Sequence, residues 1–169
     1  MWRPGFDFLN ARAARLSGYH RRLSVFSNHY RGTDDRPGLV FGLDKGGSCA
    51  GLAYSISDEK WSAVLTYVRE REMLGGIYRE IVKQIQVEGS EQPLQAVTYV
   101  VKQDHKQFAP ILSLQQTLDF IHQGQGQSGS CLDYVTNTIM HLRELGIYDS
   151  QLEKLSLHLG LGQVKKPRR

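Results

Sequence analysis

Apolar and polar positions change period several times along this chain, and each change marks a candidate element. From Trp61 onward, apolar side chains fall at Trp61, Val64, Leu65 and Val68, the spacing of one helix face. The helix is expected to stop at Gly75-Gly76, because glycine suits a helix C-terminus. A period of two then takes over, at Ile81, Ile85 and Val87 and again at Val97, Tyr99 and Val101. Residues 78–87 and 94–102 therefore predict a hairpin, joined by the polar stretch 88–93. Ahead of the helix, 11–27 reads as two strand segments with a bend at Gly18. Segment 28–38 is polar and reads as a loop. Segments 39–43 and 49–56 read as short strands, with Asp44-Lys45-Gly46-Gly47 as a hairpin turn between them.

The last third predicts three helices. Ser113 with Gln116 has the spacing of a capping box ahead of Leu114, Leu118 and Ile121. Ser130 with Asp133 opens a second stripe through Leu132, Val135, Ile139 and Leu142. Ser150 with Glu153 opens a third, through Leu152, Leu155 and Leu159. Between the first two, residues 124–129 read GQGQSG, which predicts a flexible loop. That run follows a helix and lacks the lysine of a phosphate loop, so nucleotide binding is not expected.

One carboxylate disturbs the helix pattern. At about 100° per residue, Glu72 falls roughly 20° from Trp61, on the apolar face. Glu70 falls about 180° away, where a solvated charge belongs. A carboxylate facing a core is costly to ionise without partners, and burial tends to make a proton acceptor of it. The alternative is a frayed helix end at which Glu72 pairs with Arg69 or Arg71.

Composition narrows the function classes. The 169 residues are 40% hydrophobic and 22% charged, which suits a single folded domain. No run approaches the ~18 apolar residues of a membrane span, and no basic start followed by an apolar segment suggests a signal peptide. Cys49 and Cys131 are too few for a disulfide framework, so a cytoplasmic protein is expected. The net charge of +4 is unevenly placed. Residues 1–37 carry +4 from seven Arg and three Asp, 38–164 carry −4, and the tail 165–169 carries +4. A basic stripe interleaved with aromatics is missing, so no nucleic-acid partner is expected, and none at a membrane. The six histidines are scattered without metal spacing, and neither cysteine lies in a nucleophile motif. No metal, cofactor or covalent nucleophile is called for.

A family resemblance supplies the missing chemistry. The run Tyr67-Val68-Arg69-Glu70-Arg71-Glu72, then Gly75-Gly76 and Tyr78, is similar to the helix end of ChaC-type γ-glutamylcyclotransferases. Met1-Trp2 with Pro4-Gly5-Phe6, Gly18-Tyr19-His20-Arg21-Arg22, Arg31-Gly32-Thr33 and Arg36-Pro37-Gly38 agree with the same family in order. So do Leu43-Asp44 with Gly46-Gly47, Gly51-Leu52-Ala53-Tyr54, Ser128-Gly129 and Asp133-Tyr134. The resemblance implies an α+β fold, a small mixed β-barrel with flanking helices. It covers a single domain over 1–162, followed by a basic, disordered tail over 163–169. It implies cleavage of glutathione to 5-oxoproline and cysteinylglycine, through attack of the substrate's own α-amine on its γ-carbonyl. It places the general acid/base on Glu72 and substrate contacts on Met1, Trp2, Tyr78 and Tyr134. It carries no expectation about oligomeric state.

Two stretches depart from the family pattern. The family's Ser-Thr-x-His-Arg-Gly segment reads Ser27-Asn28-His29-Tyr30-Arg31-Gly32 here, and Cys131 stands where relatives often carry asparagine. In the family an apolar strand ending in Tyr-Gly-Ser-Leu precedes the Met-Trp pair, whereas this sequence begins at Met1-Trp2. A start codon assigned at an internal methionine is expected. The alternative is a truncated, inactive homologue with a binding or regulatory role. As for the tail, deleting Lys165 to Arg169 should leave the melting temperature unchanged in a thermal melt, and a drop of several degrees would show that it docks.

Overall fold

The computed structural model describes residues 4–162 and Val164. Met1, Trp2 and most of the tail expected over 163–169 lie outside the described residues. The chain divides into two compact units. One comprises 4–24 and Phe41–Phe108, and the other Val25–Val40 and 109–162.

Strand β1 (Asn10–Ser27) is continuous over 18 residues. Its buried positions change parity between Leu16 and Tyr19, at Gly18, whose φ is +84°. The predicted bend is therefore a shift of face inside one strand. Strand β2 (Gly38–Ser55) corrects the expected hairpin over 39–56, because it too runs unbroken for 18 residues. Gly46 and Gly47 take the positive φ of turn residues, +101° and +64°, without reversing the chain. Side chains of β1 hold the strand at and just beyond them. Arg15 donates to the Ser48 hydroxyl at 3.0 Å, His20 Nδ1 meets the Gly46 carbonyl at 3.0 Å, and Arg21 donates to the Ala50 carbonyl at 2.8 Å.

Helix α1 (Asp58–Met73) follows, with Asp58 and Glu59 in its first turn complementing the helix dipole. It ends through Leu74 and Gly76, where the Gly76 N–H donates to the Met73 carbonyl at 3.0 Å. Strands β3 (Tyr78–Val87) and β4 (Leu94–Val101) form the predicted antiparallel hairpin, with Tyr78 opposite Val101 and Ile85 opposite Leu94. β3 also pairs antiparallel with β1, Leu16 opposite Ile85, so the sheet order is β2-β1-β3-β4. Leu16, Tyr19, Ile85, Val87 and Val100 form a buried cluster on it.

The face of α1 is shallower than its pattern suggests. Val68 is its one buried residue, at 8% exposure, while Trp61 stays 44% exposed. The reason is a hollow of about 550 Å³ lined by Val64, Leu65 and Val68 from the helix and by Leu16, Leu43 and Ile85 from the sheet.

The other unit holds α2 (Leu114–Gln123), α3 (Cys131–Glu144) and α4 (Ser150–His158). Ser113 and Gln116 form the full capping box at α2, and the Ser130 hydroxyl accepts the Asp133 N–H at α3. At α4 the cap is Asp149 rather than Ser150, because the Asp149 carboxylate reaches both the Gln151 and Leu152 N–H groups. Arg143 of α3 forks onto Glu153 of α4 at 3.0 and 2.7 Å, and Glu153 is 3% exposed. Among the described residues, no helix is long and apolar enough to cross a membrane.

The loop predicted as flexible over 124–129 is instead a small hairpin, β5 (Gln125–Gly126) with β6 (Gly129–Ser130). Gln127 N–H donates to the His29 carbonyl at 2.9 Å, and Ser128 N–H to the Tyr30 carbonyl at 3.0 Å. A Cβ at Gly126 would lie 2.4 Å from the Tyr30 carbonyl carbon, so glycine here permits close backbone approach. Gly126→Ala should accordingly destabilise the protein by about 1–3 kcal/mol, read as a lower urea midpoint at unchanged m-value. An unchanged midpoint would mean that the 29–31 backbone yields freely.

Candidate functional site

The C-terminal end of α1 gathers four charged side chains in two pairs. The sequence Arg69-Glu70-Arg71-Glu72 alternates in sign, but a helix turns about 100° per residue, so neighbours point apart. Arg71 and Glu72 still meet, Nε to Oε1 at 3.0 Å. The other Arg71 contacts explain why it reaches there. It donates to the Pro4 carbonyl at 2.8 Å and sits over the Tyr67 ring, 5.6 Å from its centroid. Glu72 is 24% exposed, whereas Glu70 is exposed. Glu72 lies one turn beyond buried Val68, on the same side of the helix. Among the described residues, its Oε2 has no hydrogen-bond partner. One oxygen is thus fixed by a guanidinium and the other is open.

The second pair crosses to the sheet. Arg69 donates through Nε and a terminal nitrogen to both Glu80 oxygens, at 2.7 and 2.6 Å. The fork geometry makes this the better-defined pair. Tyr99, opposite Glu80 in the β3–β4 register, donates its hydroxyl to Glu80 Oε2 at 2.9 Å. The Arg69 hydrogen bond holds the Glu80 carboxyl below its ordinary range. Desolvation, then the Glu80 contact, push the Tyr99 hydroxyl well above its own, and the Glu72 charge adds to this. Tyr99 therefore sits within electrostatic reach of Glu72. The large hollow does not include Glu72 in its lining, but Val68 and Tyr99 line it. The open oxygen of Glu72, rather than the volume of the hollow, marks where proton chemistry is possible.

A model of the ChaC-like protein family matches residues 1–160. The chain belongs to this family. It is 31% identical over 138 residues to glutathione-specific gamma-glutamylcyclotransferase 1 of Homo sapiens, covering 80% of this chain and 62% of that protein. The protein of the same name from Danio rerio is 26% identical over 146 residues, covering 85% of this chain and 74% of that one. The chain thus spans less than two thirds of the human relative's length. Among solved structures, a yeast gamma-glutamyl cyclotransferase specific to glutathione superposes with a TM-score of 0.80. That match covers 92% of this chain and 90% of the yeast chain at 19% identity, which speaks for the fold. The expected α+β, γ-glutamylcyclotransferase-like class is the one observed.

The remaining predicted positions of this ChaC-like chain separate. Tyr78 opens β3 in the same unit as Glu72, half-buried, and its hydroxyl donates to the Phe41 carbonyl at 3.3 Å. Tyr134 belongs to the other unit, in the first turn of α3, with Arg31 over its ring at 5.2 Å. Met1 and Trp2 lie outside the described residues. Cys131 is fully buried, receiving the Leu39 N–H at 3.2 Å and donating to the Leu39 carbonyl at 3.1 Å. Burial pushes its thiol above the ordinary range, so it packs and bonds without reacting.

Sequence reasoning did not single out Glu80, took Arg69 only as a possible partner of Glu72, and took Tyr99 only as a strand position. The signal was there in the hairpin, because pairing 78 with 101 sets 80 opposite 99. It also passed over Asp44 as a turn residue. Asp44 is 6% exposed and accepts from Arg22 at 2.7 Å, Gln103 at 2.7 Å and the Lys45 N–H at 2.8 Å. Burial pushes its carboxyl up, but these three donors outweigh burial and hold it below its ordinary value. A depressed carboxyl stabilises the fold above the unfolded pKa of about 3.9, and that contribution is lost as pH falls through the folded value. Asp44→Asn should lower the urea midpoint at pH 7 and flatten its decline between about pH 5 and 3. An equally steep decline in the variant would show that other carboxyls set the acid limb.

Proposed function

We propose that this protein cleaves glutathione to 5-oxoproline and cysteinylglycine, with Glu72 as general acid/base, in the cytoplasm. The observation that carries the reading is the Glu72 carboxylate at the end of α1, held through one oxygen by Arg71 with the other unpartnered. Membership of the ChaC-like family and the glutathione-specific names of the relatives support the choice of substrate.

The chemistry asks little else of the chain. The substrate's α-amine is tethered to its own γ-carbonyl, so ring closure needs a folded substrate rather than an enzyme nucleophile. Glu72 removes one proton from the α-ammonium. The freed amine nitrogen attacks the γ-carbon, a C–N bond forms in the ring, and the amide C–N bond to the cysteinyl nitrogen breaks. Glu72 gives this proton to the cysteinyl nitrogen as it leaves. It then carries to the same amine the second proton that the ring nitrogen sheds on becoming a lactam. The 5-oxoproline product thus keeps one N–H, cysteinylglycine departs as an ammonium and the carboxylate is regenerated. Arg71 keeps the carboxylate directed across these transfers.

Glu72→Gln should lower the rate of 5-oxoproline release by about 10²–10⁴-fold while glutathione still binds. Glu70→Gln, on the solvated side, should be nearly silent. A silent Glu72→Gln, with circular dichroism showing a folded protein, rejects the assignment. Loss of activity in Glu70→Gln instead would move the base to the opposite face.

A further inference from the structure

We propose that Tyr99 is a substrate-positioning residue, whose hydroxyl oxygen accepts an N–H from the substrate's α-amine and holds that nitrogen beside Glu72. The proposal rests on the reading of Glu72 given above.

The Tyr99 proton has a fixed destination. Glu80 Oε2 receives it at 2.9 Å. Glu80 cannot swing away, because Arg69 grips both of its oxygens at 2.7 and 2.6 Å. The cross-strand register sets Glu80 and Tyr99 side by side on the hairpin, so the backbone fixes the pair as well. A phenol has one proton and two lone pairs. With the proton committed to Glu80, the oxygen can only accept from anything else that approaches. Burial, the Glu80 hydrogen bond and the charges of Glu80 on β3 and Glu72 on α1 keep the phenol protonated at neutral pH, and the opposing Arg69 charge on α1 is too small to undo this. Tyr99 therefore does not compete with Glu72 for the substrate's proton.

A neutral acceptor is what a cyclising amine requires. Glu72 takes one hydrogen from the ammonium, which leaves two N–H groups and a lone pair. An acceptor on one N–H sets the direction of the lone pair, which must point at the γ-carbon. As the C–N bond forms, the nitrogen gains positive charge, so the bond to Tyr99 strengthens toward the transition state. The position suits this role, since Tyr99 lines the hollow beside α1 and feels the Glu72 charge.

The test measures 5-oxoproline release from glutathione by the 169-residue protein and its variants. Tyr99→Phe should lower kcat/KM about tenfold, the size of one hydrogen bond, with most of the loss in kcat. Both limbs of the pH profile should stay in place, because Tyr99 carries no proton in the reaction. Glu80→Met frees the phenol to rotate and should lower kcat in the same direction. The double variant should be no worse than Tyr99→Phe alone, since both changes disable one acceptor. A purely structural role would instead lower the melting temperature and leave kcat per folded molecule intact, which overturns the proposal. So does Tyr99→Phe with kcat/KM within twofold of wild type, or with a limb of the pH profile missing. A wild type that releases no 5-oxoproline overturns the reading of Glu72, and this inference with it.

Discussion

Backbone pairing along β1 is the constraint from which the sheet follows. Its N–H and C=O groups must be satisfied along 18 residues, and β2 and β3 flank it in the sheet. This leaves β2 and β4 as the edges. The same demand explains why β2 does not fold back at Gly46-Gly47. A hairpin there would have left β1 without a neighbour over half its length, whereas a kinked continuous strand keeps it covered. Arg15, His20 and Arg21 of β1 reach across and hold the kinked segment in place.

A second principle governs the end of α1, where charge is partnered before it is used. Two guanidiniums two residues apart on a helix point in different directions, and each takes a different carboxylate. Arg69 takes Glu80 on the sheet and Arg71 takes Glu72 on its own helix. The first pair is bidentate and carries the Tyr99 hydroxyl with it. The second is single-pointed and leaves one carboxylate oxygen open. That difference in geometry leaves Glu80 with both oxygens taken and Glu72 with one oxygen open.

The hollow beneath α1 shows why an apolar stripe is a weaker guide to burial than to direction. Trp61, Val64, Leu65 and Val68 all face it, yet only Val68 is buried. The stripe orients the helix correctly and so orients Glu72, which lies on the same side.

Local signals carried the sequence a long way. The α1 end at Gly75-Gly76, the β3–β4 hairpin, the Ser113–Gln116 box and the Ser130 cap depend on residues within a few positions of each other. Such features form from short-range hydrogen bonds and side-chain spacing, so the sequence by itself determined them. It also determined the helical phase of Glu72 and Glu70. Tertiary structure decided the rest, wherever the partner is distant in the chain. Gly46-Gly47 became a kink because β1 lies alongside. The glycine-rich 124–129 stretch became a hairpin because the 29–31 backbone takes its N–H groups. The Asp149 cap is the exception, a local contact two and three residues long that the pattern reading placed one residue late. The Tyr99–Glu80 pair met Arg69 through the placement of α1 on the hairpin, which a periodic pattern does not encode. A hydrogen bond is directional and short, so its partner is fixed only once distant segments have been brought together.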